Sequence, residues 1–208
     1  MKQIYSFIGL PASGKGTQAE IFAKKLDLMP ISIGSLIRDA IADESNPDKD
    51  EMNKYYNEGK PQPDEIVFRL LETKIKTLEG GILFDNFPFT DRQAQWIEKY
   101  VSDNDFSPLK VIYINITPES ALKRIATRMY CPKCGVTFKD GETSCPKCGG
   151  KLEQRADDNP ETLKRRIAEY EPGIKTILDI YQPKQQVIEI NGELSIKEVE
   201  EEIDQKIK

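Results

Sequence analysis

Short apolar runs alternate with amphipathic stretches along this chain. The apolar runs predict five strands, at residues 3–9, 29–33, 81–85, 110–116 and 186–190, of which 110–116 is the clearest because it is rich in β-branched residues. Apolar residues at helical spacing predict helices at 15–26, 35–42, 51–58, 64–78, 90–101, 118–128 and 160–180, with a last helix from 195. We expect Asp64 to cap the helix that begins there. Strands that alternate with helices predict an α/β fold, in which a five-stranded parallel sheet is covered on both faces.

The loop between the first strand and the first helix is rich in small residues. It reads Gly9-Leu10-Pro11-Ala12-Ser13-Gly14-Lys15-Gly16-Thr17. Between a strand and a helix N-terminus, backbone N–H groups of such a loop converge on phosphate oxygens, and the helix dipole favours negative charge. Lys15 adds a mobile positive charge. The loop therefore predicts a phosphate site, although an ordinary strand–turn–helix corner with a chance lysine is the alternative.

Four cysteines form two near-identical knuckles in the polar segment before the long helix at 160–180. Cys131-Pro-Lys-Cys134-Gly and Cys145-Pro-Lys-Cys148-Gly each present two sulfurs on one side of a turn. Two facing turns complete a tetrahedral four-thiolate site, which predicts structural zinc. Iron is the alternative metal for this form of knuckle, and disulfides or free thiols are the alternative without a metal.

Composition narrows the possible functions. The chain has 208 residues, of which 38% are hydrophobic and 31% charged, as expected for a globular protein with one good core. Its net charge of −5 argues against general nucleic-acid binding. No apolar run approaches the ~18 residues of a membrane span, and the first strand leaves no room for a signal peptide. We therefore expect a cytoplasmic protein without nucleic-acid or membrane partners.

The chain contains no histidine. This excludes His-dependent triads, histidine zinc ligands and a histidine general base. Phosphoryl transfer remains possible, because it depends on positioning and charge stabilisation rather than covalent catalysis.

The Gly14-Lys15-Gly16-Thr17 ending of the loop resembles that of the nucleoside monophosphate kinases, adenylate kinase above all. The resemblance runs the length of the chain and is specific in order and spacing. It is carried by the segments 32–38, 59–65 and 85–88, the pair Arg124 and Arg128, the cysteine knuckles, and Arg155-Ala156-Asp157-Asp158 with Arg166. The sequence is similar to adenylate kinases with a zinc-containing lid. That similarity implies a P-loop kinase fold, with a core at 1–31, 63–126 and 159–208, an NMP-binding insertion at 32–62 and a small zinc-binding lid at 127–158. It also suggests a monomer.

The resemblance implies a donor site for Mg²⁺ and ATP. The implied ATP contacts are Ala12, Ser13, Gly14, Lys15, Gly16, Thr17, Arg124, Arg128, Thr137 and Phe138, and the implied catalytic residues are Lys15, Asp85, Arg124, Arg128, Arg155 and Arg166. Guanidinium groups suit this role because each binds phosphate bidentately. Lid closure would bring the four arginines together and expel water. Asp85 is implied to hold the waters of Mg²⁺, with a helix cap or ion pair as its alternative.

The implied acceptor site departs from the family's usual residues. Its contacts would be Ile33, Arg38, Lys60, Gln62, Asn86, Phe89, Gln93, Arg155 and Arg166, with Gln93 reading a base edge. The family usually has glycine at position 86, and at position 89 it has an arginine that grips the acceptor phosphate. Threonine is usual at 33, aspartate at 35, an apolar residue at 62, and glycine at 12 in the donor loop. Arg92 is a candidate substitute for the missing arginine.

Three functions remain open from the sequence. The first is an enzyme that transfers the ATP γ-phosphate to AMP or a related nucleoside monophosphate. The second is a kinase for another acceptor, and the third is a non-catalytic ATP-binding protein whose zinc module serves interactions. An intact donor loop with four lid arginines argues against the third, since ATP binding alone does not require so many.

Overall fold

The structure is a computed structural model, and it describes residues 1–76, 78–138, 144–154 and 160–207. In chain order its elements are β1 (Ile4–Ile8), α1 (Lys15–Lys25), β2 (Leu28–Ser32), α2 (Ile33–Ala42), α3 (Lys49–Glu58), α4 (Asp64–Ile75), β3 (Gly81–Asp85), α5 (Asp91–Asp103), β4 (Lys110–Asn115), α6 (Pro118–Ala126), β5 (Met129–Tyr130), β6 (Thr137–Phe138), α7 (Pro160–Tyr181), β7 (Val187–Asn191) and α8 (Ile196–Ile207). The predicted alternation of strands and helices is therefore confirmed, with end points that shift by a few residues.

The five long strands form one parallel sheet in the order β2-β3-β1-β4-β7. The central strand β1 is buried along its whole length and is apolar except at Ser6, whose hydroxyl donates to the Phe87 carbonyl at 2.6 Å. Helices α1 and α8 pack on one face through Phe22 and Val199, and α4, α5 and α7 cover the other through residues such as Leu71 and Ile97. The predicted P-loop kinase architecture is thus confirmed, and the carboxyl ends of β1, β3 and β4 meet at one edge of the sheet.

A second, antiparallel sheet pairs β5 with β6. It lies in the cysteine-containing segment and was not predicted, because two-residue strands are too short to show periodicity. Among the described residues, no helix combines the length and apolar character needed to cross a membrane.

One expected helix cap is wrong. Pro63 is the residue before α4, and Asp64 is the first residue of the helix, without a side-chain cap. The Asp64 carboxylate instead accepts hydrogen bonds from the Thr90 hydroxyl at 3.0 Å and from Gln93 Nε2 at 2.7 Å. These two donors come from the segment that follows β3, so Asp64 ties the start of α4 to the start of α5.

Candidate active site

The loop between β1 and α1 is built on two residues in the left-handed region, Ala12 with φ 63° and Gly14 with φ 93°. The Ser13 N–H donates to the Leu10 carbonyl at 3.1 Å, and α1 begins directly at Lys15. Lys15 Nζ donates to the same Leu10 carbonyl at 3.2 Å and so lies back over the loop. Turn N–H groups, a helix N-terminus and a lysine are what a phosphate group requires.

Gly9 places this loop against the centre of the sheet. A Cβ on Gly9 would lie 2.5 Å from the Ile114 carbonyl oxygen of β4, a distance that no side chain permits. The phosphate loop therefore lies directly over the carboxyl end of β4, where polar side chains from neighbouring strands can reach it.

Arg124 of α6 contacts the phosphate loop from the side. Its guanidinium donates to the carbonyls of Ala12 at 3.4 Å and Ser13 at 3.3 Å, and to the Gly192 carbonyl at 2.7 Å. The Glu193 carboxylate lies 3.7 Å away. A hydrogen bond from the Thr117 N–H, with help from the Arg124 charge, holds the pKa of Glu193 below its usual range. Three carbonyls and the Glu193 carboxylate thus hold the Arg124 guanidinium beside the loop.

Gly192 and Glu193 were missed by sequence reasoning. They follow β7 at the same edge of the sheet, and the Asn-Gly dipeptide after a predicted strand was the available signal for a turn there.

Asp85 ends β3 beside the phosphate loop. Its Oδ2 accepts a hydrogen bond from the Ser32 hydroxyl at 3.1 Å and would lie 3.4 Å from a Cβ on Gly16. Its Oδ1 is buried and has no hydrogen-bond partner within the described part of the chain. A carboxylate oxygen in that state beside a phosphate loop suits a cation or the water that a cation binds.

The next residue, Asn86, adopts a left-handed backbone with φ 68°. Asparagine is among the few residues that tolerate this conformation, which explains how it stands at a position where the family has glycine. The Asn86 N–H donates to the Phe7 carbonyl at 2.9 Å and keeps the turn in line with β1.

Phe89 is buried rather than open to the site. A Cβ on Gly173 of α7 would lie 2.4 Å from the ring's Cζ atom, and the Tyr170 ring centroid lies 4.8 Å away. An open groove of about 600 Å³ runs past it, bounded by Pro61, Phe89 and Thr90 on one side and Glu169, Pro172 and Thr176 of α7 on another. Arg92, the candidate substitute for the missing arginine, pairs in this structure with Glu65 at 2.7 Å, and its guanidinium carbon lies 5.8 Å from the centroid of the Phe68 ring.

The two glutamines of the acceptor segment are both buried and bonded within the protein. Gln93 accepts from the Phe89 N–H at 2.8 Å and donates to Asp64. Gln62 donates from Nε2 to the Met52 carbonyl at 2.9 Å, while its Oε1 has no hydrogen-bond partner among the residues described. Gln62 Oε1 therefore keeps an unused acceptor position within the described residues, whereas the side-chain oxygen and nitrogen of Gln93 both have partners.

The remaining acceptor residues lie on the elements that border this segment. Ile33 is buried at the start of α2, and Arg38 donates to the Ser35 hydroxyl at 2.9 Å. Lys60 pairs with Glu58 at 2.9 Å, a hydrogen bond that raises the pKa of Lys60. The stem of Arg166 lies against Gly59, with its Cγ 2.9 Å from where a Cβ would stand. Arg155 lies outside the described residues.

The four cysteine sulfurs converge as predicted. They all lie within 4.8 Å of one another, and the pairs Cys131–Cys148 and Cys134–Cys145 are each 3.5 Å apart. Tetrahedral zinc with sulfur at about 2.3 Å requires sulfurs about 3.8 Å apart. The thiols are therefore placed to bind one metal ion.

Backbone geometry builds this cysteine site. The N–H groups of Gly135 and Gly149 donate to the carbonyls of Cys131 and Cys145, both at 2.8 Å, and so close the two knuckles alike. Burial opposes ionisation of Cys131, but donors from Cys134, Cys148 and Lys133 prevail and lower its pKa to about 7. Leu152 and Phe138 of β6 pack around the cysteines. Phe138 and Thr137, expected near ATP, thus lie beside the metal site.

These features together define a P-loop phosphotransferase with a cysteine-containing lid segment. The adenylate kinase family model matches residues 7–186. Proteins named adenylate kinase are similar over most of the chain: one from Chlamydia trachomatis is 34% identical and covers 92% of this chain and 84% of its own. One from Dehalococcoides mccartyi is 35% identical, with 97% of this chain and 96% of the relative covered. One from Caldanaerobacter subterraneus is 34% identical, with 94% and 92% covered. The chain belongs to the adenylate kinase family and is a nucleoside monophosphate kinase-type phosphotransferase.

Proposed function

We propose that this protein transfers the γ-phosphoryl group of ATP to AMP, reversibly and with Mg²⁺. The observation that carries the proposal is the convergence of Lys15, Asp85 and Arg124, from three separate elements, on one phosphate loop. Two cations and one carboxylate at such a loop match the charges of a magnesium-bound triphosphate. Family membership supports the same reaction class.

Asp85 would hold Mg²⁺ through bound water. The unpartnered, buried Oδ1 fits this role, because a metal-bound water is a strong hydrogen-bond donor. When bound, Mg²⁺ supplies charge neutralisation at the β- and γ-phosphates. Ser32 orients the carboxylate through its hydroxyl.

The donor site would consist of Ala12 to Thr17, with Lys15 at the terminal phosphates and Arg124 at the side of the loop. Arg128, which lies two residues beyond the end of α6 although the sequence predicted a helix to 128, and Arg155 would close on the transferring group from the lid, which we propose spans 127–158. Thr137 and Phe138 are part of that lid, and they would contact the nucleotide when the lid closes. Guanidinium groups that close over the phosphates exclude water and stabilise charge in the transition state.

The acceptor would bind between the insertion at 32–62, the turn after β3 and α7. Arg38, Lys60 and Arg166 supply the cations for its phosphate, while Ile33, Gln62, Asn86, Phe89 and Gln93 form the rest of the pocket. We also propose that the protein acts as a monomer in the cytoplasm, as its family resemblance suggests.

The cysteine site would hold structural zinc. Four thiolates fill all positions of a tetrahedral ion, so the site has no place for a substrate. Metal binding would supply the folding energy that this short segment cannot gain from a core of its own.

A second candidate function is a kinase for a different acceptor. It is favoured by Phe89, which leaves the turn after β3 without the guanidinium that the family uses for the acceptor phosphate. Loss of one such charge-assisted contact can reduce transition-state stabilisation by several kcal/mol.

One experiment separates these functions. The purified protein is incubated with Mg·ATP and a panel of nucleoside monophosphates, and ADP formation is followed. We expect the highest kcat/KM with AMP. Lys15→Ala should abolish transfer without a change in the circular dichroism spectrum, while Lys24→Ala, an exposed lysine on the same helix, should be active. Absence of transfer to any member of the panel would exclude the proposed reaction.

A further inference from the structure

Phe89 is held rigidly at two points. Its side chain is only 7% exposed, and the Cζ, Cε1 and Cε2 atoms of the ring would lie 2.4–2.7 Å from a Cβ on Gly173. The ring therefore rests directly on the backbone of α7, in a slot that exists because residue 173 has no side chain. At the other point, the Phe89 N–H donates to Gln93, which is itself bonded to Asp64. The ring of Phe89 is thus held against α7, and its backbone is held by α5 and, through Asp64, by α4.

The ring extends this rigid contact to a cation. Tyr170 packs on Phe89 with ring centroids 4.8 Å apart and an interplanar angle of 51°, a tilted aromatic contact. The guanidinium carbon of Arg166, one helical turn before Tyr170, lies 5.7 Å from the centroid of the Tyr170 ring. That distance lies within the range of cation–π attraction. The Phe89 and Tyr170 rings thus form an aromatic column that runs from the turn after β3 to the Arg166 guanidinium.

Arg166 is confined from a second direction. Its Cγ lies 2.9 Å from where a Cβ on Gly59 would stand, so the stem of Arg166 lies against the end of the acceptor insertion. A free arginine side chain samples many rotamers, and holding it in one conformation before substrate binds lowers the entropy lost on binding. Contact with Gly59 restricts the conformation of the aliphatic part of the Arg166 side chain, and the Tyr170 ring restricts the position of its guanidinium.

We infer that Phe89 and Tyr170 are positioning residues, which hold the guanidinium of Arg166 for the acceptor phosphate. This inference rests on the proposed function, because it takes Arg166 as a ligand of that phosphate. Instead of placing a second guanidinium at position 89, the chain uses this position to fix the guanidinium that α7 already supplies. Phe89 acts through Tyr170 and need not touch the substrate.

Kinetics of Tyr170 variants test the inference. Tyr170→Leu removes the ring between Phe89 and Arg166 and should lower kcat/KM for AMP about fivefold, the size of effect expected from one cation–π contact. Tyr170→Phe keeps the ring and should restore most of this loss. The dissociation constant for ATP, measured by calorimetry without AMP, should change less than about twofold, since the column lies away from the phosphate loop.

A double-mutant cycle separates positioning from a merely structural role. If Tyr170 acts through Arg166, then Tyr170→Leu should cause little further loss in a protein that already carries Arg166→Gln, because glutamine has no charge for the ring to hold. An equal loss of kcat/KM in both backgrounds would overturn the inference, because general destabilisation does not depend on Arg166. That result would leave the proposed reaction intact, since the wild-type protein would still phosphorylate AMP.

A spectroscopic measurement does not require activity. The Nε–Hε resonance of Arg166, assigned from its absence in Arg166→Lys, should shift in both Tyr170→Leu and Phe89→Leu when no nucleotide is present. It should stay near its wild-type position in Tyr170→Phe. If Phe89→Leu leaves the resonance unchanged, position 89 does not hold Arg166 and the inference is wrong, whatever acceptor the enzyme uses.

Discussion

Ala12 occupies a backbone conformation that glycine adopts more easily. Its φ of 63° lies in the left-handed region, where a Cβ approaches the following carbonyl oxygen. The sequence showed the departure from the family's glycine but not its consequence, because nothing in the residue itself reveals whether the turn changes shape to suit alanine. The structure shows that the turn stays left-handed and that alanine adopts the strained conformation.

We therefore predict that Ala12→Gly stabilises the protein. Relief of the left-handed conformation is worth about 1–2 kcal/mol, and the greater freedom of glycine in the unfolded chain offsets about 0.4–1 kcal/mol of it. The free energy of unfolding should rise by up to about 1 kcal/mol in urea titrations. Ala23→Gly, in the buried interior of α1, should lower it. A loss of stability in Ala12→Gly would show that the alanine methyl contributes packing that outweighs its strain.

The side chains at positions 173 and 89 occupy the same space, so a larger residue at one position requires a smaller residue at the other. Gly173→Ala would place a Cβ 2.4–2.7 Å from three atoms of the Phe89 ring. Overpacking of this kind costs about 1–3 kcal/mol. Alanine in a helix is otherwise favourable over glycine by about 1 kcal/mol. We predict that Gly173→Ala destabilises the wild-type protein but stabilises the Phe89→Ala variant. Thermal unfolding of the four proteins measures both signs, and the same sign in both backgrounds would contradict the contact.

How far the site could be predicted differs from residue to residue. Lys15 and Asp85 belong to local patterns next to strand ends, whereas Arg124 was implied by the family resemblance; the structure places all three at the phosphate loop. The positions of the Phe89 and Gln93 side chains depend on contacts with α7 and α4, which are distant in sequence. Whether a side chain at position 89 points to the substrate or to Gly173 follows from packing between these elements, and no local pattern encodes it.

At the scale of elements, the sequence predicted strands better than it predicted helix ends or the cysteine segment. Each long strand is an apolar run between polar loops, so its limits are sharp; β3 was predicted at its observed bounds. Helix α4 ends at Ile75 rather than at 78, because helix ends depend on tertiary contacts as much as on periodicity. The knuckles were predictable because metal geometry fixes the spacing of their cysteines.

The stability of the cysteine-containing segment should depend on metal binding by its four cysteines. We predict one zinc ion per chain in the wild-type protein by elemental analysis, and little or none in Cys148→Ser. Loss of the metal should speed amide hydrogen exchange in 129–138 and 144–153 while the central sheet stays protected, because these residues pack mainly on the cysteines. Lys133→Ser in the first knuckle is the control and should bind zinc normally. Iron in place of zinc, or unchanged exchange in Cys148→Ser, would contradict a structural zinc site.

At the scale of the whole molecule, one ion pair joins the lid segment to the core. Lys147, inside the second knuckle, lies 2.6 Å from Glu20 of α1, and both side chains are more than half exposed. Glu20 lies one turn beyond Thr17, so the contact links the metal site to the helix that carries the phosphate loop. Hydrogen bonding to Glu20 raises the pKa of Lys147, so the Lys147 ammonium stays charged at neutral pH.

This contact should favour the lid position that binds ATP. We predict that Glu20→Lys raises KM for ATP by up to about fivefold at low salt, since exposed ion pairs have effects of this size. The added Lys147→Glu substitution should restore the wild-type value. In about 0.5 M salt the difference between Glu20→Lys and the wild type should largely disappear, because the charges are then screened. A KM that is unaffected at low salt would show that the pair does not influence lid position.

The slot that Gly173 provides for Phe89 also limits how these two positions can change over evolutionary time. A residue larger than glycine at 173 would clash with the Phe89 ring, and an arginine at 89 would leave the slot beside Gly173 without its ring. Each of these two single changes therefore has a packing cost. Lineages that carry an aromatic residue at 89 should keep glycine at 173, and those with arginine at 89 should be free of that restriction. We therefore expect positions 89 and 173 to change together, although they lie on different elements of the fold.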